Sequence, residues 1–177
     1  MGKKRVIFIT GGCRSGKSRF ALDYANRSYA KKIYLATCEP LDEEMARRIE
    51  LHKKGRGPEW QTIEEPLAIV NRVSQIREGD QVVLLDCITL WISNLLLKWD
   101  DEERIMAEME RFLEAVKRSP ASFILVSNEV GMGIVPAEPV ARRFRDLAGT
   151  INQKLAETSD TVIFMVSGLP IFLKGRA

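Results

Sequence analysis

The chain has 177 residues, 45% of them apolar and 29% charged, which is enough to close a sizeable hydrophobic core as one domain. Its net charge of +3 is too small to argue for nucleic acid or a membrane surface as partner, and no apolar run reaches membrane-spanning length. Three cysteines, Cys13, Cys38 and Cys87, form an odd set without C-x-x-C spacing, which suits a reducing cytoplasm and argues against a disulfide framework or a zinc site.

The first residues run straight into a strand, so no signal peptide is expected, and residues 1–177 read as a single domain without repeat or linker. Arg5–Thr10 is a short apolar run rich in β-branched residues and predicts a buried strand. Ser18–Tyr29 predicts a helix, with Phe20, Leu22, Tyr24, Ala25 and Tyr29 on one broad face. A second strand is expected at Lys32–Thr37. Leu41–Lys54 has helical spacing, with Leu41, Met45 and Ile49 four apart and Asp42, Glu43 and Glu44 at the end where the helix dipole favours acids. Gly55–Pro58 stops it. Trp60–Ile63 predicts a short strand, Pro66–Ile76 a helix and Gln81–Asp86 a buried strand. Two helices are expected next, at Ile88–Trp99 and at Asp101–Lys117, the latter with Ile105, Met109, Phe112 and Val116 on one stripe. Ser122–Ser127 is another strand. Val140, Phe144, Leu147, Ile151 and Leu155 mark a further helix face; Thr161–Val166 is a last buried strand, and Ile171–Leu173 an edge strand after Pro170. Apolar strands alternating with helices predict an α/β fold, a mostly parallel sheet with helices on both faces.

Between the first strand and the first helix stand Gly11, Gly12, Cys13, Arg14, Ser15, Gly16, Lys17 and Ser18, in the pattern G-x-x-x-x-G-K-S. This is a phosphate-binding loop in the context that the motif requires. Its glycines let backbone N–H groups turn around phosphate oxygens, and the helix N-terminus adds its positive end. Lys17 supplies a mobile charge for the outer phosphates, and the Ser18 hydroxyl can ligate Mg²⁺.

In a parallel sheet, ligands bind beyond the carboxyl ends of the strands. Asp86 follows one such strand, in place to hold Mg²⁺ through water; capping the next helix is its other reading. Asn128–Pro136 follows another, glycine-rich and partly apolar with Glu129 inside it, either part of the site or a tight structural connection. The cysteines after strands read best as small side chains in a crowded crevice. His52 is the only histidine. Near the end of its helix it reads as a cap or a packing residue; beside Lys53, Lys54 and Arg56 it also reads as a nucleophile toward phosphorus, kept neutral by the cations. Arg142, Arg143 and Arg145 sit early in a helix, against the dipole, which points to anion binding, a subunit contact, or ion pairs with Glu138 or Asp146. The residues alone therefore indicate a Mg²⁺–nucleotide enzyme, with a small-molecule kinase fitting well. A GTPase switch lacks its N-K-x-D, and a RecA-like motor or a nucleotide sensor is separated from a kinase by turnover of an acceptor.

The runs Thr10–Arg19, Ala36-Thr37, Asp42–Ile49 through His52–Arg56, Trp60–Glu64, Asp86–Thr89, Asn128–Pro136 and Arg143–Asp146 together resemble the bifunctional adenosylcobinamide kinase/adenosylcobinamide-phosphate guanylyltransferase family of cobalamin biosynthesis. The resemblance spans nearly the whole chain, and N-E-V-G-M-G-I-V-P with the isolated histidine is its most specific part. It implies a P-loop NTPase of RecA-like fold that forms trimers, and adenosylcobinamide and its phosphate as substrates. It also implies GTP, or ATP in the kinase step, and Mg²⁺ held at Ser18 and Asp86. By the same resemblance His52 is the residue that becomes guanylylated; Lys17, read from the phosphate loop, is the other catalytic residue expected. Thr37, Cys38, Glu39, Lys53, Lys54, Gly55, Arg56, Glu64 and Asp86 then fall where the family binds the guanine nucleotide.

Overall fold

A computed structural model describes residues 4–38 and 57–176. The expected helix at Leu41–Lys54, and with it Glu39, His52, Lys53, Lys54, Gly55 and Arg56, lies outside the described residues. The elements are β1 (Val6–Gly11), α1 (Lys17–Ser28), β2 (Lys31–Ala36), β3 (Trp60–Glu64), α2 (Ile69–Ser74), β4 (Gln81–Asp86), α3 (Ile88–Trp99), α4 (Glu102–Arg118), β5 (Ser122–Val126), α5 (Pro139–Thr158), β6 (Thr161–Val166) and β7 (Leu169–Lys174). Seven strands form one sheet in the order β3-β2-β4-β5-β1-β6-β7. β1 to β6 run parallel, and β7 closes the edge antiparallel to β6.

Burial explains why the central strands are apolar at every position. In β4, Val83 and Leu85 enter one core while Val82 and Leu84 enter the other, because successive side chains point to opposite faces. One face packs with Phe8, Leu35 and Phe123 against α2, α3, α4 and α5. The other carries Ile7, Ile9, Ile124 and Met165 against α1. The buried stripe of α1 is Lys17, Ala21 and Ala25. The expected face of larger side chains lies on its flanks, where Phe20, Leu22, Tyr24 and Tyr29 are only partly buried. Small alanines let the helix lie close to the sheet, directly behind the phosphate loop.

Polar pins fix the elements that frame the site. Trp91 is fully buried in the first turn of α3, its ring edge-on to Phe112 of α4 at 5.2 Å, and its indole N–H donates to Leu67 O at 3.0 Å. Trp60 of β3 donates to Asn26 Oδ1 of α1 at 3.0 Å. Asp101 caps α4 by accepting from Arg104 N, with Glu102 and Glu103 in the first turn and Lys117 and Arg118 in the last, as the dipole favours. α2 is shorter than its apolar pattern predicts. The Glu65 carboxylate takes up the N–H groups of Leu67 at 3.3 Å and Ala68 at 2.9 Å, so a turn fills the place of the first helical residues. β7 is longer than expected and exposed along its whole length.

Candidate nucleotide site

At the carboxyl ends of β1, β4 and β5, loop residues 13–19 meet Asp86, Cys87, Val126 and Asn128 around a cavity of about 370 Å³. A larger groove of about 770 Å³ between α2 and α4 is rimmed by Arg77, Arg111 and Arg118, with no phosphate loop or strand end in its wall, and is not the chemical centre. Arg14 and Gly16 take left-handed φ angles of 54° and 95°, a local geometry that builds concave runs of N–H groups for anions. The loop is buttressed from behind: Gly168 N, in the turn between β6 and β7, donates to Ser15 O at 3.0 Å, and Glu129 N donates to Gly11 O at 2.9 Å.

Lys17 opens α1, and its ammonium folds back over the loop. It donates to Gly12 O at 2.6 Å and Gly11 O at 2.9 Å, and lies 3.4 Å from Ser15 Oγ. Burial lowers its pKa below the ordinary lysine value, with Asp86 pulling the other way. A partly desolvated cation held, among the described residues, by neutral oxygens alone favours an anion in the adjacent cavity. Ser18 lines the same cavity one residue further along α1.

Asp86 ends β4, and Tyr34 of the neighbouring β2 donates its hydroxyl to Asp86 Oδ2 at 2.9 Å. Among the described residues no group of three or more His, Cys, Asp or Glu side chains is placed to hold a metal ion. That suits Mg²⁺, which keeps much of its water and takes one or two protein ligands besides phosphate oxygens. Ser18 and Asp86, on two walls of one cavity, fit that demand.

Thr37 is fully buried, and its hydroxyl is committed to the chain: Oγ1 donates to Cys87 O at 2.8 Å and accepts from Cys87 N at 2.9 Å. It clasps the end of β2 to the end of β4, so its contribution is to hold the strand ends in place. Cys38 follows it, half-buried, and Glu64 stands at the end of β3, in register with Ala36. Cys13 is exposed in the loop, whereas burial pushes the Cys87 thiol up to about 11 and keeps it protonated and unreactive at neutral pH. None of the three cysteines is in a disulfide.

The three arginines of α5 resolve into intramolecular contacts with partners other than Glu138 and Asp146. Arg143 pairs with Asp100 at 2.8 Å and Glu102 at 2.7 Å. Arg142 donates to Pro136 O and Ala137 O, and Arg145 to Gly131 O at 2.7 Å. Arg142 and Arg145 brace the loop after β5, and Arg143 ties α5 to the α3–α4 junction. That loop starts with a network invisible to the sequence patterns: Thr89 Oγ1 receives Asn128 N at 3.3 Å and Asn128 Nδ2 at 3.0 Å, and Asn152 Nδ2 of α5 donates to Asn128 O at 3.1 Å. Asn94 of α3 donates to Thr37 O at 2.9 Å and Pro66 O at 3.1 Å. Asn94 and Asn152 had no signal beyond a polar residue inside an amphipathic helix, whereas Thr89 and Asn128 fall in the runs singled out above.

Comparison with solved structures shows the fold: the RadB recombinase superposes with a TM-score of 0.58 at 15% identity, covering 97% of this chain and 81% of that one, which makes this a RecA-like P-loop architecture. Two curated relatives are far closer in sequence. The bifunctional adenosylcobalamin biosynthesis protein CobP of Pseudomonas aeruginosa is 46% identical over 168 residues, 95% of this chain and 96% of the relative. Its counterpart CobU of Escherichia coli K12 is 41% identical over 181 residues, 96% of this chain and 99% of the relative. The family model described as cobinamide kinase / cobinamide phosphate guanyltransferase matches residues 7–173, a span that takes in the phosphate loop, the clasped strand ends and the braced loop after β5. With fold, site and near-full-length identity in agreement, the chain belongs to the cobinamide kinase/cobinamide phosphate guanyltransferase family.

Proposed function

We propose that this protein phosphorylates adenosylcobinamide with GTP or ATP, and then transfers GMP from GTP to adenosylcobinamide phosphate through a guanylyl-histidine at His52. The observation that carries the reading is the convergence of Lys17, Ser18 and Asp86 on one cavity in a chain that matches the bifunctional family from residue 7 to residue 173. Both reactions then use one phosphate cradle.

In the first, the acceptor hydroxyl oxygen bonds to the γ-phosphorus as the bond to the β,γ-bridging oxygen breaks. The nucleoside diphosphate leaves with the electron pair, and the hydroxyl proton passes through the transferred phosphoryl group to water. In the second, an imidazole nitrogen of His52 attacks the α-phosphorus and pyrophosphate leaves. A phosphate oxygen of adenosylcobinamide phosphate then displaces the imidazole, giving adenosylcobinamide-GDP. Lys17 and the loop N–H groups hold the β- and γ-phosphates throughout, first as part of the electrophile and then as the leaving group. Mg²⁺, held at Ser18 and Asp86 directly or through water, would neutralise charge on those oxygens. Cys38, Glu39, Lys53, Lys54, Gly55, Arg56 and Glu64 complete the guanine-nucleotide side, with the Glu64 carboxylate facing guanine's two edge donors.

The reading includes a homotrimer in the cytoplasm. β7 supports self-association, since it leaves Leu169, Ile171, Phe172 and Leu173 exposed on a sheet edge. No helix among the described residues is long and apolar enough to cross a membrane.

The test is incubation with GTP labelled in the α-phosphate, with Mg²⁺ and no corrinoid. One GMP should attach to the protein, survive alkali, fall off in mild acid and map to His52; His52→Asn should abolish it and spare most of the kinase rate. An adduct on the variant, or on a lysine of the parent, contradicts the mechanism.

A further inference from the structure

We infer that Asn128 is a positioning residue for phosphoryl transfer, its side-chain carbonyl oxygen accepting a hydrogen bond from the attacking hydroxyl. The inference deepens the kinase reading and rests on it. Asn128 stands two residues beyond the end of β5, and β5 lies between β1, which delivers the phosphate loop, and β4, which delivers Asp86. Its side chain lines the cavity that contains Lys17 and Asp86.

The orientation of the amide follows from Thr89. Thr89 Oγ1 lies 3.0 Å from Asn128 Nδ2, 3.3 Å from Asn128 N and 3.1 Å from Cys87 Sγ. A hydroxyl has one proton and two lone pairs. The backbone N–H can only donate, and it takes one lone pair. With the amide nitrogen on the second lone pair and the proton directed to Cys87 sulfur, every capacity of Thr89 is used. Asn128 O is fixed as well, by Asn152 Nδ2 at 3.1 Å. With Nδ2 spent on Thr89, Oδ1 is the free end of the amide, and no described residue donates to it.

What this oxygen recognises follows from its chemistry. Phosphate oxygens are acceptors and would repel it, so it does not hold the triphosphate. It needs a donor between the phosphate loop and Asp86, and the acceptor's O–H is a donor that the kinase reaction brings there. An amide oxygen is too weak a base to take the proton; it aligns the hydroxyl lone pair on the γ-phosphorus while the proton leaves as described above. Beyond Asn128 the chain runs outward to Met132 and Ile134, both strongly exposed, so a bulky acceptor has room to approach from that side.

The experiment compares Asn128→Ala, Thr89→Val and Thr89→Ser in three assays on the full-length protein: cobinamide phosphorylation, affinity for a fluorescent GTP analogue, and self-guanylylation without corrinoid. Asn128→Ala should lower kinase kcat by roughly 10²-fold, the scale of a misplaced reactant. Nucleotide affinity and self-guanylylation, which involve no acceptor hydroxyl, should stay within about twofold of the parent. Thr89→Val should lower kcat about tenfold, Thr89→Ser should restore it, and the Asn128→Ala/Thr89→Val double variant should lose no more than Asn128→Ala alone, because the two residues act as one unit. If Asn128→Ala fails to fold, the Thr89 pair decides the question by the same readouts. Equal losses in all three assays would reduce Asn128 to a structural residue, and an unchanged kinase kcat would overturn the inference while leaving the kinase reading intact. A parent protein that phosphorylates no cobinamide would overturn both.

Discussion

Gly11→Ala is the sharpest structural test of the cradle. Gly11 has φ of +144°, where a side chain is strained, and a Cβ built there lies 2.4 Å from Met165 O. That oxygen is backbone in β6, the strand that pairs with β1 in register Gly11 to Met165, so it cannot swing aside. Strained φ costs about 1–2 kcal/mol and overpacking about 1–3 kcal/mol, for a sum of roughly 2–5 kcal/mol. At about 2–4 °C per kcal/mol for a domain of this size, Tm should fall by roughly 4–20 °C. Gly11 O also receives Lys17 Nζ and Glu129 N, so the displacement should disturb the loop and weaken binding of a fluorescent GTP analogue by at least about tenfold. Gly12 is the control, because a Cβ there meets nothing within 4 Å. Gly12→Ala should melt within about 0.5 kcal/mol of the parent. The reasoning is refuted if Gly11→Ala and Gly12→Ala melt alike, or if Gly11→Ala binds nucleotide as tightly as the parent.

Three further predictions concern the frame of the site. Iodoacetamide at pH 8 should label the exposed Cys13 and leave Cys87 unmodified until the protein is unfolded, since burial pushes the Cys87 thiol up to about 11; peptide mass spectrometry showing equal labelling would contradict this. Burial raises the pKa of Glu65, but the N–H groups of Ala68 and Leu67 and the Arg72 guanidinium outweigh it, so the net shift is downward from 4.5. A carboxylate with a lowered folded pKa contributes stability above its unfolded value and loses it as pH falls through the folded one. Glu65→Gln should therefore cost about 1–2 kcal/mol at pH 7, and the cost should shrink in urea titrations carried below pH 4.5, whereas a cost independent of pH would argue against the cap. Tyr34→Phe removes the hydroxyl that orients Asp86 and should raise the Mg²⁺ concentration needed for half-maximal kinase activity about five-fold, equivalent to about 1 kcal/mol; an unchanged Mg²⁺ curve would detach Asp86 from the metal.

Much of this architecture is legible because it rests on local pattern. Continuous apolar runs such as Gln81–Asp86 announce strands buried on both faces, and the glycine loop between β1 and α1 carries its function in eight residues. The resemblance to the bifunctional family was legible for the same reason. What sequence reading could not reach depends on long-range partners. Thr37 looks like a ligand contact after a strand, yet its hydroxyl closes on Cys87, fifty positions away. Arg143 finds Asp100 and Glu102 across the α3–α4 junction instead of neighbours on its own helix. Asn128 opens the N-E-V-G-M-G-I-V-P run, but nothing local links it to Asn152, and only the packing of α5 against the end of β5 joins them. The apolar pattern at Pro66–Ile76 overstates a helix because Glu65 forms a local turn with two of its N–H groups.

The central claim is that one phosphate cradle serves both transfers, and the rates of Lys17→Ala in the two reactions test it most directly. Lys17 is buried at the cavity with its ammonium on the loop carbonyls, and among the described residues no other lysine or arginine in the cavity wall is buried with it. Removing one such transition-state cation costs on the order of 10²-fold or more. Cobinamide phosphorylation and GMP transfer to cobinamide phosphate, measured side by side at saturating Mg²⁺ on a variant whose Tm matches the parent, should fall together by at least about that factor. Loss of one activity with the other intact would show two separate nucleotide sites and contradict the account.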